Sequence, residues 1–334
     1  MSLKTNILTD SFNRKHTYLR ISLTEKCNLR CDYCMPEEGI ELAPRASLMT
    51  ANEIYEIAKL FVENGVTKIR LTGGEPLVRK DFKEIITQLA KLPVEIAITT
   101  NGILLDKYLP LFVKLNILNI TVSIDSLHAK KFNFITKRNY FERVWENIQL
   151  LKQKVGVLKL NIVLMKGVND NEIVDFIKLT KKEAYKIRFI EFMPFDGNKW
   201  NTDKLVSESE ILNIVTSNFK EPLQRITDQP NDTSKNYKLS GFKGSFATIS
   251  SVTNPFCDTC NRIRLTADGK LKNCLFSNNE TNLLTAYRNN ESIEDLIYTA
   301  IHKKKRIRAG MDTLQKLENP NLHTNNRSMI AIGG

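Results

Sequence analysis

Residues 18 to 34 read Tyr18-Leu-Arg-Ile-Ser-Leu-Thr-Glu-Lys-Cys27-Asn-Leu-Arg-Cys31-Asp-Tyr-Cys34. The stretch from Tyr18 to Thr24 alternates apolar and polar residues as a β-strand does, with Leu19 and Ile21 on one face and Arg20 and Ser22 on the other. That strand runs straight into a loop presenting three thiols within eight positions. A structural zinc site takes four protein ligands and a cuboidal iron–sulfur cluster has four irons. Three cysteines with no evident fourth therefore describe a metal centre with one open coordination position.

The chain has six cysteines in all, at 27, 31, 34, 257, 260 and 274, in two separated triplets. Buried thiols serve as small hydrophobes when they occur singly, but six in two triplets fit metal ligation better. Disulfides pair thiols by twos and are rare in the cytosol. The first thirty residues lack an apolar segment of signal-peptide type and no long uncharged apolar run spans a bilayer, so a cytoplasmic protein without a membrane partner is expected. At 334 residues, 42% of them hydrophobic, two domains are expected, given roughly 100–200 residues per domain. The formal charge of +12 calls for anionic company or a solvated basic surface, and the sum alone does not choose between nucleic acid and a polyphosphate.

Beyond the first strand the pattern repeats. Helices are predicted near 50–64, 81–92, 104–115, 140–153 and 170–183, and strands at 68–72, 95–100, 118–124, 157–164 and 186–192. Six strands each followed by a helix predict a parallel α/β sheet, either open and doubly wound or an incomplete TIM-type barrel of (β/α)6 form. After a helix near 207–218 the character changes. Residues 221–236 carry Pro222, Pro230 and a polar run that reads as a linker. Short strands follow, and Ile263-Arg-Leu-Thr with Leu271-Lys-Asn-Cys predicts a hairpin turning at Asp268-Gly269. Domains are accordingly expected at 1–218 and 219–334, the second a smaller α+β unit.

A strand covered on both faces should be nearly all apolar. These keep one polar face, which carries Arg20, Arg70, Thr99, Thr121, Ser123, Lys159, Asn161 and Arg188. In a curled sheet four of these are interior cations, each costing several kcal/mol if unpaired, and a bound anion is the simplest partner. Asp125 and Glu191 are expected to neutralise part of that charge. The loops at the C-terminal strand ends, where α/β proteins carry their sites, share one mouth. They hold the first cysteines, Gly73-Gly74-Glu75-Pro76, Thr100-Asn101-Gly102, Asp125 and Met193-Pro194. The paired glycines permit close backbone approach and Glu75 offers an acceptor for an ammonium group, although taken alone the tetrapeptide is equally a turn and helix start.

On these residues a resemblance becomes plain. Cys27-x3-Cys31-x2-Cys34 with Tyr33, together with Gly73-Gly74-Glu75-Pro76, resembles the cluster and methionine-binding segments of radical S-adenosylmethionine enzymes. Met35-Pro36, Cys257-x2-Cys260-Asn-Arg-Ile-Arg264, Cys274-Leu-Phe and the terminal Gly333-Gly334 carry the likeness further, to the GTP 3′,8-cyclase family of molybdenum cofactor biosynthesis, over nearly the whole chain.

The resemblance implies two [4Fe-4S] clusters, one on Cys27, Cys31 and Cys34 and another on Cys257, Cys260 and Cys274. It implies S-adenosylmethionine contacts at Tyr33, Gly74, Ser123 and Met193. GTP contacts are implied at Arg20, Arg70, Thr99, Lys159, Arg262, Ile263 and Arg264, with Arg188 in support. The implied activity is that of a lyase in the first step of the pathway. A 5′-deoxyadenosyl radical abstracts the ribose 3′ hydrogen of GTP, the carbon radical adds to C8, and the product is (8S)-3′,8-cyclo-7,8-dihydroguanosine 5′-triphosphate. An electron donor such as flavodoxin or ferredoxin and a downstream cyclic pyranopterin monophosphate synthase are implied as partners. A homodimer is compatible with the resemblance, and nucleic acid is not expected. A terminal Gly-Gly is ordinarily a mobile end, but in the resembled family the tail enters the active site, so Gly333 and Gly334 are expected to be needed for turnover.

Other features carry less. His16, His128, His302 and His323 are scattered, and the Lys303-Lys-Lys-Arg306 run reads as a solvated helix face. Two other readings stay open. One is another radical S-adenosylmethionine enzyme with an auxiliary cluster, such as a peptide maturase; the other is a zinc-stabilised nucleic-acid-binding protein, which predicts bound zinc and salt-sensitive binding.

Overall fold

The computed structural model describes residues 6–35, 39–229, 231–322 and 326–333. Pro36, Pro230, His323 and Gly334 lie outside them. Strands β1 (Tyr18–Ser22), β2 (Lys68–Thr72), β3 (Glu95–Thr100), β4 (Asn119–Ser123), β5 (Leu158–Leu164) and β6 (Tyr185–Glu191) pair side by side in chain order, all parallel. Between and after them run helices α1 (Ala51–Glu63), α2 (Phe82–Leu89), α3 (Leu105–Lys114), α4 (Ala129–Thr136), α5 (Phe141–Lys152), α6 (Ile173–Lys182) and α7 (Glu208–Asn218). The expected alternation is present; α4, in the loop after β4, is an addition to it.

Local chemistry explains the element ends. Thr50 caps α1 and Ser207 caps α7, each in a reciprocal box with the glutamate three residues on, Glu53 and Glu210, which satisfies backbone donors that otherwise have no partner. In α1 the residues Ile54, Ile57, Ala58 and Phe61 recur at helical spacing and are buried against the sheet. Strands β5 and β6 alternate without a break: Leu158, Leu160, Ile162 and Leu164 face the helices, as do Ile187 and Phe189. Each such side chain contributes about 1.5–3 kcal/mol on burial.

The remaining strands complete one twelve-stranded sheet. They are β7 (Leu223–Ile226), β8 (Lys235–Leu239), β9 (Ser245–Ile249), β10 (Arg262–Leu265), β11 (Lys270–Lys272) and β12 (Thr281–Asn282). At one edge β9 adds parallel to β6 and β8 and β7 follow antiparallel. At the other, β10 adds parallel to β1, followed antiparallel by β11 and β12. The sheet therefore continues through position 218. The linker expected at 221–236 is corrected: it holds β7 and the start of β8. Strand β7 is an exposed edge with little apolar alternation, hence its disguise. The hairpin turning at Asp268-Gly269 is present as β10 and β11.

The sheet is curved. Arg70 on β2 and Arg188 on β6 are four strands apart, roughly 19 Å across a flat sheet, yet both line one cavity and the charge of Arg70 acts on Arg188. Four further helices, α8 (Leu283–Arg288), α9 (Glu294–His302), α10 (Leu314–Glu318) and α11 (Met329–Ile332), lie in the C-terminal region. Among the described residues no helix is long and apolar enough to cross a membrane.

Candidate active site

The loop after β1 is built against the loop after β2. Gly74 donates from its backbone N–H to the Thr24 carbonyl at 2.7 Å, and Glu75 does the same to Lys26 at 2.9 Å. A Cβ at Gly74 would stand 2.5 Å from the Lys26 oxygen, so only glycine lets the two loops close this far. Glu75 is wholly buried and braces the strand ends. It accepts from Leu77 N–H, from the Thr100 hydroxyl at 2.8 Å and from Asn101 N–H at 2.6 Å. Burial pushes its carboxyl up to about 7 against those hydrogen bonds. Asn101 in turn donates to Asn28 at 2.7 Å and lies 3.8 Å from Cys27 Sγ.

Cys27, Cys31 and Cys34 line a cavity of about 170 Å³, and Tyr33, Gly74, Ser123 and Met193 line it with them. Burial, followed by the charge of Glu75, pushes the Cys27 thiol up to about 11, while burial, Asp125 and the neighbouring cysteines raise those of Cys31 and Cys34 further. The Tyr33 hydroxyl donates to Asp125 Oδ2 at 2.7 Å, and Asp125 also accepts from Val163 N–H.

A second cavity of about 410 Å³ adjoins the first, sharing Thr99, Asn161, Ile190, Met193 and Met329 as wall. Cys257, Cys260 and Cys274 line it on one side; Arg20, Arg70, Arg188, Arg262 and Arg264 line it elsewhere. Arg70 is held by the Tyr18, Thr99 and Thr121 hydroxyls and the Ile98 carbonyl, all neutral. Burial and mutual repulsion hold Arg20 and Arg188 down to about 10 and Arg264 to about 9. All three remain charged at neutral pH, crowded around an open space. Burial also pushes the Tyr18 hydroxyl up, but Arg70 and Arg20 outweigh it and bring it to about 8. Among the described residues, the buried Arg188 Nε and Asn161 Oδ1 have no hydrogen-bond partner. A cavity of this charge fits an anion.

Not every expected residue is in place. The expected neutralisation by Asp125 and Glu191 is corrected, because Asp125 is committed to Tyr33 and Val163 while Glu191 accepts from Val252, Thr253 N–H and the Thr253 hydroxyl. Ile263 is fully buried and, alternating with Arg262 and Arg264 along β10, is not among the residues that line the cavity. Lys159 donates to Asn119 Oδ1 at 2.8 Å; burial and then Arg188 and Arg70 lower it to about 8.

The tail reaches the site. Arg264 Nη1 donates to the Gly333 carbonyl at 2.6 Å, Met329 lines both cavities, and Ile330, Ala331 and Ile332 are buried. A Cβ at Gly333 would stand 2.2 Å from Thr72 Oγ1, at φ +75°. Met329 is a wall residue that sequence reasoning missed, since nothing local marks a residue brought in by the return of a distant tail. Asn161 was legible only as one member of the polar face.

No three His, Cys, Asp or Glu side chains among the described residues close on a single ion position. A cuboidal cluster asks for less, because each thiolate takes its own iron. All six cysteines are free and partly buried at cavity walls, which fits that donor set.

A family profile described as Radical SAM superfamily matches residues 21–180, and one described as Molybdenum Cofactor Synthesis C matches residues 185–309. The fold is similar to the crystal structure of Streptococcus suis SuiB bound to S-adenosylmethionine, with TM-score 0.57 at 17% identity over 86% of this chain and 67% of that one. Profile, fold and cysteine loop together define the class, a radical S-adenosylmethionine protein.

Curated relatives narrow it. The mitochondrial GTP 3′,8-cyclase of Arabidopsis thaliana is 46% identical over 98% of this chain and 84% of its own length. The GTP 3′,8-cyclase of Listeria monocytogenes is 40% identical over 89% of this chain and 91% of its own. Human molybdenum cofactor biosynthesis protein 1 is 47% identical over 93% of this chain, which spans 50% of that relative's length. The chain belongs to the GTP 3′,8-cyclase family of molybdenum cofactor biosynthesis.

Proposed function

We propose that this chain converts GTP to (8S)-3′,8-cyclo-7,8-dihydroguanosine 5′-triphosphate in two adjoining chambers. The observation that carries the reading is the shared wall: a cavity with one cysteine triplet opens beside a larger cavity lined by six arginines, Arg308 among them, and the other triplet. Two sites for reacting molecules are thus kept in contact, which is what an intramolecular-like transfer needs.

Cys27, Cys31 and Cys34 hold the first [4Fe-4S] cluster, and Tyr33, Gly74, Ser123 and Met193 form the S-adenosylmethionine site around it. When bound, these groups supply a 5′-deoxyadenosyl radical that takes the 3′ hydrogen of GTP. The rest is the work of the chain. Arg20 and Arg70 present planar forks to phosphate oxygens, Lys159 adds charge behind them, and Thr99 lies on the wall between the chambers. Cys257, Cys260 and Cys274 hold the second cluster on the guanine side, flanked by Arg262, the Ile263 backbone and Arg264. Met329 and Gly333 close the space between, and enclosure protects a radical reaction from stray hydrogen donors. Gly334 continues this tail.

We read β1 to β6 as the incomplete (β/α)6 barrel, residues 1–218, and 219–334 as the unit carrying the second cluster. Flavodoxin or ferredoxin is the proposed electron donor and cyclic pyranopterin monophosphate synthase the proposed recipient of product. A cytoplasmic setting and a homodimer complete the reading. GTP deuterated at C3′ tests the reaction directly. Deuterium is expected in the 5′-deoxyadenosine formed, and its absence there in a turning-over enzyme would refute abstraction at C3′.

A further inference from the structure

The basic run after α9 is not one solvated face. Lys303, Lys305 and Arg306 are exposed, but Lys304 is 4% exposed. Its ammonium donates to the Arg262 carbonyl at 2.9 Å and to Cys260 Sγ at 3.5 Å. Among the described residues no carboxylate pairs with it. Asp10, which reaches this network through Arg14, is occupied by Arg14 at 2.7 Å and His16 at 3.2 Å. A buried ammonium is costly unless a negative partner is supplied, and the group facing Lys304 is the Cys260 sulfur.

The position is built. Arg14, itself buried, donates to the Cys257 carbonyl at 2.8 Å, to the Arg306 carbonyl at 2.8 Å and to the Lys305 carbonyl at 3.0 Å. One side chain thus staples the 305–306 backbone to the start of the second cysteine loop, and Asp10 holds that staple in place. Lys304 is left with its stem inside and its head between a cluster ligand and the first residue of β10. Arg262 and Arg264, which line the anion cavity, belong to that strand.

We propose that Lys304 is a positioning residue of the second cluster, resting on the two-cluster reading above. Its N–H···S bond to the Cys260 thiolate stabilises the more negative, reduced state of the cluster and so raises its reduction potential. Hydrogen bonds to cluster sulfurs are among the main settings of such potentials, and partners of metal ligands orient them. Through the Arg262 carbonyl the same ammonium ties the cluster ligand to the strand that carries the substrate arginines.

The test uses the full chain with Cys27, Cys31 and Cys34 all replaced by Ala, so that iron reports the second site only. Iron and sulfide per chain and the EPR-monitored reduction potential are measured in this background, with and without K304M or K304R. The expected result is a cluster in the background whose potential moves to more negative values, or whose iron is lost, in K304M, with K304R restoring either property. An unchanged potential in K304M, or K304R behaving as K304M, overturns the role of Lys304. A folded background protein that takes up no iron overturns the two-cluster reading instead.

Discussion

Arg264 donates to the carbonyl of Gly333 at 2.6 Å, so a strand residue of the anion cavity grips the chain's own tail. The grip is possible because Gly333 has no side chain. Its positive φ and its approach to Thr72 and Ser22 leave no room for a Cβ.

Gly333→Ala adds strain of about 1–3 kcal/mol to a direct clash with Thr72 Oγ1. If the tail closes the reaction space, kcat for GTP falls by about tenfold or more, while the melting temperature changes little because the short tail can undock and release the strain. Thr72→Ala removes the nearest clashing atom, so the double variant should regain part of the loss. Wild-type turnover in the single variant would show that the tail's fit is irrelevant to catalysis.

The tail is anchored upstream by Arg327, which donates to Asp268 at 3.0 and 2.8 Å and to Glu280 at 2.6 Å, with Glu25 at 3.5 Å. Burial works to raise the Asp268 carboxyl, but Arg327, Thr266 and Lys270 outweigh it and bring it down to about 2. Its folded value lies below the ordinary one, so its stabilising contribution is complete above the ordinary carboxylate range and lost as pH falls toward 2. Arg327→Met should free the tail, read as faster proteolytic clipping near the C-terminus and a lower kcat. A stability loss of about 1–3 kcal/mol is expected. Unaltered clipping would contradict the anchor.

His16 is fully buried beside Asp10. Burial, followed by the charge of Lys304, holds its imidazole down to about 3 against the opposing pull of Asp10. Between that value and the ordinary 6.5 the unfolded chain binds a proton that the folded chain does not, so stability falls as pH drops through this window. His16→Gln should flatten the loss of melting temperature between about pH 7 and about pH 5. An equally steep loss in the variant would assign the acid sensitivity elsewhere.

Arg70 is oriented by three hydroxyls and a carbonyl and pairs with no carboxylate among the described residues. Arg70→Lys keeps the charge but loses the planar fork. GTP binding should weaken about tenfold, equivalent to about 1.4 kcal/mol, as read by calorimetry, with S-adenosylmethionine binding unchanged. Equal affinity would remove Arg70 from the phosphate site.

Much of this was legible in order along the chain. The alternation of periods exposed β1 to β6 and their helices, because each element buries one face and writes its own repeat. Arg20, Arg70 and Arg188 were legible as interior cations because they break the apolar rule of a doubly covered sheet. What escaped depends on partners far away in sequence. The parallel pairing of β10 with β1 and of β9 with β6 leaves no local trace. Lys304 resembles its neighbours in composition and differs only in which way the backbone turns it. Asp125 and Glu191 look like counter-charges in the sequence because their hydroxyl and backbone partners are not visible in a one-dimensional pattern.

The most direct measurement is anaerobic incubation of the reconstituted chain with reductant, S-adenosylmethionine and each nucleoside triphosphate in turn. The expected result is 5′-deoxyadenosine formation that depends on GTP, matched by a cyclised guanosine triphosphate. Cleavage indifferent to the nucleotide, or none in a protein whose clusters are intact, would contradict it.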